Sequence, residues 1–374
     1  MSDAVLARVD LGALRHNVAR VRAFAPGRAV YAAIKSDGYG HGALPVARAL
    51  RHHVDGFAVA RLEEALKLRE GGMTGVPILL LSERLGAAAI ESVIRHELEP
   101  LLYQPGQLQR LQAHGAAGLR VWVKIDSGMH RLGFPVTQAA EVLDELRAAP
   151  GLTLAGWVTH LACADDVHSP MTERQVRVFS DAVERLPGVK SIANSAGVVA
   201  WPGSHADMVR PGIMLYGASP LLDQSAQTLR LRPAMTLTTS VISIQRLEAG
   251  ETVGYGATWQ ACAPATIAVA GIGYGDGYPR HAGSGTPVLV NGQRCELAGR
   301  VSMDMITIRI PDGMPVAVGD PVTLWGEGLP ADEVARAAGT IAYELFCRLS
   351  ARVRFSYADN EATLPGESIS AHDR

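Results

Sequence analysis

Through the first two hundred residues, short apolar runs of strand length alternate with longer stretches whose apolar positions recur at helical spacing. The strand candidates are "AVYAAI" from Ala29, "VDGFAVA" from Val54, "PILLLS" from Pro77, "ELEPLL" from Glu97, "LRVWVKID" from Leu119, "LAGWVTH" from Leu154, "KSIANS" from Lys190 and "DMVRPGI" from Asp207. Between them lie amphipathic segments. In "LGALRHNVARVRAF" Leu11, Leu14, Val18 and Val21 fall on one face, and "TQAAEVLDELRAA" from Thr137 is of the same kind. Parallel strands each need a crossover, usually a helix. Eight strands alternating with helices therefore predict a (β/α)8 barrel of the TIM type.

After about Leu231 the rhythm changes. "MTLTTSVISIQRL" from Met235, "ATIAVAGI" from Ala265, "TPVLV" from Thr286, "DMITIRI" from Asp304 and "DPVTLW" from Asp320 are rich in β-formers, and the "NG" at Asn291 marks a tight turn. The expectation is an α/β plus β chain: residues 1–230 form the barrel, whose first eight or so residues pack with the other unit, and residues 231–374 form a mainly-β domain. The boundary falls within "SPLLDQSAQTLRLRP", Ser219 to Pro233.

Composition narrows the function classes. A chain of 374 residues with 48% hydrophobic residues, 19% charged residues and a formal net charge of -2 has no electrostatic reason to bind nucleic acid. Charges at Asp3, Arg8, Asp10 and Arg15 interrupt the amino terminus, so no signal peptide is read there, and the longest apolar runs are too short to cross a bilayer. Cys163, Cys262, Cys295 and Cys347 are scattered, without a CxxC pair for zinc or redox work. A cytoplasmic protein without a membrane or nucleic-acid partner, and without a metal, is expected.

A barrel of this type carries its chemistry at the carboxyl ends of its strands. Lys35 ends the first strand, Lys124 and Asp126 the fifth, His160 the sixth, Asn194 and Ser195 the seventh, and Arg210 belongs to the eighth. Any one of these fits an ordinary strand end. Together they would gather two lysines, a histidine and an arginine on one rim, where they repel unless an anion joins them. The loops after strands seven and eight are the usual phosphate site of the fold, and there the chain offers the Ser195 hydroxyl and the N–H groups of Gly212 and Ile213. A desolvated lysine among other cations loses its proton readily and becomes a nucleophile. A lysine facing a phosphorylated ligand points to Schiff-base chemistry, with pyridoxal 5'-phosphate as the natural cofactor.

These residues lie in recognisable motifs. "AAIKSDGYGHG" with Lys35, "VKIDSGMHRLGF" from Val123, "THLACADD" from Thr159, "NSAG" from Asn194, "VRPGIMLYG" from Val209, "VGYGATW" from Val253, "GYGDGYPR" from Gly273, "GRVSMDM" from Gly299 and "AYEL" from Ala342 occur in order over nearly the whole chain. The combination resembles the bacterial alanine racemases, which interconvert L-alanine and D-alanine with pyridoxal 5'-phosphate. The resemblance implies that Lys35 holds the cofactor, that the glycines of "DGYGHG" let the backbone turn closely around it, and that Tyr39, Ser195, Gly212, Ile213 and Tyr343 contact its phosphate. It implies that Arg210 faces the pyridine nitrogen without giving up a proton. Lys35 serves one face of the substrate Cα and Tyr255, from the neighbouring subunit of a homodimer, serves the other, with His160 linking that tyrosine to Arg210. Arg131 and the N–H of Met303 hold the substrate carboxylate, and Lys124 corresponds to a lysine that the family carbamylates to orient Arg131. Asp165, Tyr274, Arg280 and Arg300 correspond to residues that keep the mouth of the pocket small and polar. The same site would serve D-alanine supply for peptidoglycan or the breakdown of L-alanine.

Three alternatives stand beside this reading. A broad-specificity amino-acid racemase would share the machinery. A pyridoxal-phosphate decarboxylase would also pair a barrel with a β domain, but has less use for a second proton carrier such as Tyr255. A non-catalytic cofactor carrier would need neither Tyr255 nor a β domain. No P-loop or GxGxxG dinucleotide fingerprint is present.

Overall fold

The structure, a computed structural model, describes residues 5–116 and 118–359. Residues 1–4 and 360–374, part of the two predicted domains, lie outside the described residues. The first strand, β1 (Leu6–Asp10), leads into the helix Leu11–Phe24. The Asp10 carboxylate accepts a 3.0 Å hydrogen bond from the N–H of Ala13, an N-cap worth about 1 kcal/mol. The face carrying Leu14, Val18 and Val21 is buried, as its spacing predicts.

Nine further strands follow: β2 (Ala29–Ala33), β3 (Gly56–Val59), β4 (Ile78–Leu80), β5 (Glu99–Leu102), β6 (Leu119–Asp126), β7 (Phe134–Pro135), β8 (Leu152–Val158), β9 (Val189–Ser191) and β10 (Met208–Val209). All but β7 form a closed parallel ring in chain order, β5 pairing with β6 and β10 returning to β2 in the register Met208↔Ala29 and Val209↔Val30. The short β7 pairs with β6 outside the ring. Each of the eight predicted strands is therefore a stave of the barrel. Both faces of such strands are covered, so they read as continuous apolar runs instead of alternating ones. One set of side chains, among them Tyr31, Leu79, Leu101, Trp122 and Met208, fills the interior of the ring, while Val30, Phe57 and Ile78 pack outward. Trp122 lies edge-on to Tyr31 at 6.1 Å and donates to the buried Glu99 carboxylate at 2.7 Å.

The second unit is built from β11 (Met235–Leu247), β12 (Thr252–Val253), β13 (Trp259–Gln260), β14 (Ala265–Ala270), β15 (Pro287–Val290), β16 (Gln293–Leu297), β17 (Ile306–Ile310), β18 (Pro321–Trp325) and β19 (Arg354–Ala358). A closed antiparallel ring runs β11–β14–β17–β16–β15–β18 and back to β11. Asn291 and Gly292, at φ 50° and 74°, form the two-residue hairpin between β15 and β16 that "NG" predicts. The strand β11 also takes β1 as an antiparallel neighbour, and β1 in turn pairs in parallel with β19. Register shifts at Leu237/Thr238 and Val241/Ser243 bend β11 and let one strand serve three partners. The described chain thus runs first through β1 in the β unit, enters the barrel through Asp10 and leaves it before Met235. Asn17 on the first helix fastens that exit, donating to the carbonyls of Leu215 and Arg232 and accepting from the N–H of Arg232. Among the described residues no helix is long and apolar enough to cross a membrane.

Candidate active site

The carboxyl end of β2 delivers Lys35 into an uncommon backbone conformation. Ser36, Asp37, Gly38 and Tyr39 all have positive φ, at 51°, 53°, 63° and 53°, with ψ between 42° and 51°. This is a turn of left-handed helix, and three of its four residues carry a Cβ. The glycines of the motif therefore do not shape this stretch alone. Left-handed geometry costs an L-residue about 1–2 kcal/mol, so neighbouring groups must hold it. The Glu64 carboxylate accepts from the N–H of Ser36 at 2.6 Å, and Asp37 accepts from the N–H of Ala43 at 2.8 Å. Gly40, at φ +74°, lies so close to the Phe346 carbonyl that a Cβ there would sit 2.0 Å from its oxygen. Glycine is required at that contact between the two domains.

The turn opens onto a cavity of about 430 Å³ at the carboxyl ends of the barrel strands. Lys35, Tyr39, Lys124, Arg131, His160, Ser195, Arg210, Gly212 and Ile213 reach it from the barrel, and Tyr343 from the helix Ala342–Cys347 of the second domain. Ladder-like hydrogen bonds extend beyond the short β10, from Ala33 N–H to the Pro211 carbonyl and from Arg210 N–H to the Ala193 carbonyl, both 2.9 Å. They align Lys35, Ser195 and Arg210 across three adjacent strands.

The chemistry of the cavity divides into two ends. At one, the Ser195 hydroxyl, at the start of the helix Ser195–Ala200, accepts from the Gly212 N–H at 2.7 Å, and Gly212 is approached so closely by Tyr39 that a Cβ would lie 2.4 Å from the phenol oxygen. At the other, the buried Arg210 donates to the carbonyls of Thr159 at 2.6 Å and Ile192 at 3.3 Å and to the Ser191 hydroxyl. Arg210 is thus both a cap for strand-end carbonyls and a fixed cation in the cavity. Burial lowers its pKa to about 10, which leaves it charged at neutral pH.

The cations perturb one another as the sequence predicts. Burial, then Arg131, pulls the Lys35 pKa down. Burial, Arg131 and Arg210 bring Lys124 to about 8. Burial first and Arg210 second hold His160 well below its ordinary value, so its ring is neutral. Asp126 does not form an ion pair with Lys124 among the described residues. Its Oδ1 instead accepts from the N–H groups of Gly128, Met129 and His130, at 2.9, 2.9 and 3.0 Å, shaping the loop that carries Arg131.

Tyr255, Met303, Tyr274, Arg280 and Arg300 are not brought to this cavity. They lie on the exposed surface of the second domain, with Tyr255 73% accessible. Several of them share a patch there. The Arg300 guanidinium packs on Gly256, Tyr274 N–H donates to the Ser302 carbonyl at 3.0 Å, and Gly275 N–H to the Met303 carbonyl at 2.9 Å. Arg352 joins the two loops, 3.2 Å from buried Asp276 and 2.9 Å from Asp304. Asp165 lines a neighbouring cavity of about 320 Å³ that shares Asn194 and Tyr343 with the first.

Sequence reasoning missed Glu64, which holds the turn after Lys35, and Cys347, which lies within electrostatic range of Lys35. Glu64 gave a weak signal: it stands in the first turn of the helix Leu62–Glu70, where its carboxylate also accepts from the N–H groups of Ala60 and Arg61. Cys347 gave none.

The family description "Alanine racemase, N-terminal domain" matches residues 9–220 of this chain, and "Alanine racemase, C-terminal domain" matches residues 234–357. The alanine racemase of Thioalkalivibrio sulfidiphilus is 50% identical over 359 residues, covering 96% of this chain and 99% of its own length. That of Halorhodospira halophila is 49% identical over 366 residues, covering 96% and 100%. Among solved structures, the biosynthetic alanine racemase from Pseudomonas aeruginosa superposes with a TM-score of 0.92 at 46% identity, covering 96% of this chain and 100% of that one.

Proposed function

The chain belongs to the alanine racemase family, and from that premise we propose that Lys35 and Tyr255 are the two proton carriers of a site assembled from two copies of the chain. The enzyme is an isomerase that interconverts L-alanine and D-alanine. A broad-specificity racemase is not favoured, because the relatives compared above are alanine racemases.

The residues fit pyridoxal 5'-phosphate. A hydroxyl, a phenol and a main-chain N–H converge at the phosphate end from Ser195, Tyr39 and Gly212, and Lys35 stands in the same cavity with a lowered pKa. Ile213 and Tyr343 complete that end. When bound, the cofactor supplies an aldehyde for an amine to hold and a conjugated ring that weakens the Cα–H bond of the amino acid.

The remaining work belongs to the chain. Burial and Arg131 raise the neutral share of the Lys35 amine, which lets Nζ accept a proton on one face. Tyr255 serves the opposite face. An isolated phenol has a pKa near 10, so it needs support, and the neutral His160 ring beside Arg210 can offer it a hydrogen bond. Arg210 keeps its protons while committed to Thr159, Ile192 and Ser191, so it orients without acting as an acid. Arg131 and the Met303 N–H hold the substrate carboxylate. With a pKa of about 8, Lys124 keeps enough neutral amine to take up carbon dioxide, and the resulting carbamate would aim Arg131. Asp165, Tyr274, Arg280 and Arg300 narrow the mouth against large side chains.

The location of Tyr255 supports the homodimer. Its phenol is exposed in the single chain, in a patch with Tyr274, Met303 and Arg300, and a second copy would bring that patch over the cavity. We place the enzyme in the cytoplasm as a source of D-alanine for peptidoglycan, in keeping with the biosynthetic Pseudomonas relative.

The observation that carries this reading is the convergence of Lys35, the phosphate-type donors and Arg210 in one cavity. Its test is incubation of the purified protein with each alanine enantiomer and with serine, lysine and arginine, following optical rotation, keto-acid and carbon dioxide. Both alanine enantiomers should relax to the same mixture. Keto-acid or carbon dioxide as the main product would overturn the assignment.

A further inference from the structure

His41 does not line the cavity and has no part in the proton transfers, yet it occupies a demanding position. Its side chain is completely buried. Nδ1 lies 2.9 Å from the Tyr39 carbonyl, which can only accept, so Nδ1 carries the hydrogen. Nε2 has no hydrogen-bond partner among the described residues. A buried, unpaired nitrogen is unfavourable, and a phenyl ring would avoid it. What imidazole adds over phenyl here is the Nδ1–H.

That hydrogen bond acts inside a stack of rings. His41 lies 4.6 Å from Tyr216 and meets Phe346, from the second domain, edge-on at 4.9 Å. Tyr39, two residues earlier, stacks on the same Tyr216 at 4.8 Å and 26°. The Tyr216 hydroxyl donates to the Ala33 carbonyl at 3.0 Å, anchoring the stack to β2 two residues before Lys35. The left-handed turn from Ser36 to Tyr39 is therefore held at both ends: by Tyr216 on β2 at its start and by His41 on the Tyr39 carbonyl at its close. Three of its residues carry side chains that resist this geometry. If the turn unwound, the Tyr39 phenol would leave its place against Gly212.

We propose that His41 is a positioning residue: its Nδ1–H, braced by Tyr216 and Phe346, keeps the left-handed turn wound so that Tyr39 presents its hydroxyl to the cofactor phosphate. The proposal rests on the reading of the cavity as a pyridoxal phosphate site.

The test compares the affinity of the full-length, cofactor-free protein for pyridoxal phosphate and for pyridoxal, which lacks the phosphate, using the visible absorbance on binding and borohydride trapping on Lys35. His41→Phe keeps the ring and removes the donor. It should weaken pyridoxal phosphate binding about five- to tenfold, the factor of one hydrogen bond, and leave pyridoxal binding nearly unchanged. Tyr39→Phe should show the same selective loss, and the double variant should be no worse than the single ones. The isosteric pair His41→Asn and His41→Leu repeats the comparison should His41→Phe fail to fold. Asn retains a donor and should keep the preference for the phosphate, whereas Leu should lose it. Equal weakening of both ligands, additive effects in the double variant, or equal selectivity in the Asn and Leu variants would overturn the proposal. If the unmodified chain binds neither ligand, the reading of the cavity falls instead.

Discussion

Replacing Gly40 by alanine tests the contact through which the second domain holds the turn after Lys35. The new Cβ would meet the Phe346 carbonyl oxygen at 2.0 Å and its carbon at 2.8 Å, both of them backbone atoms that cannot rotate aside. One of the two segments must retreat by roughly 1.5 Å before ordinary contact is restored. Two costs combine. Alanine at φ +74° loses about 1–2 kcal/mol, and forcing a methyl group into packed backbone adds about 1–3 kcal/mol. Gly27→Ala separates them. Gly27 has nearly the same φ, +71°, but nothing within 4 Å of the added methyl, so only the first cost applies. Denaturant midpoints of the two full-length variants should therefore differ by the packing cost, with Gly40→Ala the less stable. Borohydride trapping of pyridoxal phosphate on Lys35 should fall in Gly40→Ala and remain normal in Gly27→Ala. Equal stability losses would refute the claim that helix Ala342–Cys347 rigidly clamps the turn.

Two further outcomes follow from the charges and from the exposed phenol. The folded chain holds the Lys124 proton more weakly than the unfolded chain, with a pKa of about 8 against about 10.4. Between these values the unfolded state binds more protons, so Lys124 makes stability rise with pH, by roughly 3 kcal/mol across the window and none below it. In carbonate-free buffer Lys124→Met should be the more stable protein at neutral pH and lose that rise. An unchanged slope between pH 8 and 10 would show that Lys124 does not carry the strained proton. As a test of the proposed sharing of the site between two copies, Lys35→Ala and Tyr255→Phe should each be nearly inactive alone. After subunit exchange at equal amounts they should regain roughly one quarter of the unmodified rate, because half the dimers then hold one intact site. Exchange without any recovery would remove Tyr255 from the partner's site.

Much of the barrel was legible along the chain because its signals are local. A run such as "AVYAAI" is buried on both faces and must read as uninterrupted apolar residues, and the helix from Leu11 must repeat its apolar side chains every turn. The eighth stave shows the limit. β10 spans only Met208 and Val209, and its alignment depends on hydrogen bonds to Ala33 and Ala193 that lie far away in sequence. β1, β7, β12, β13, β16 and β19 were not read as strands; β7, β12 and β13 are two residues each, and β1 and β19 take their pattern from partners at opposite ends of the chain.

By itself the amino-acid sequence singled out candidates for the chemistry: Lys35, Arg210 and Ser195 stand at strand ends, where periodicity breaks, whereas Tyr255 stood out only through the resemblance of its motif to the alanine racemases. Tertiary structure decided what those groups are. It wound Ser36 to Tyr39 left-handed, a choice no local propensity favours and one that contacts with Glu64, Ala43, His41, Tyr216 and Phe346 sustain. It buried Arg210 against three acceptors, set neighbouring cations to lower the lysine pKa values, and left Tyr255 outside its own chain's cavity. Burial, Coulomb interaction and steric closeness depend on distance in space, and the order of residues along a chain does not contain that distance.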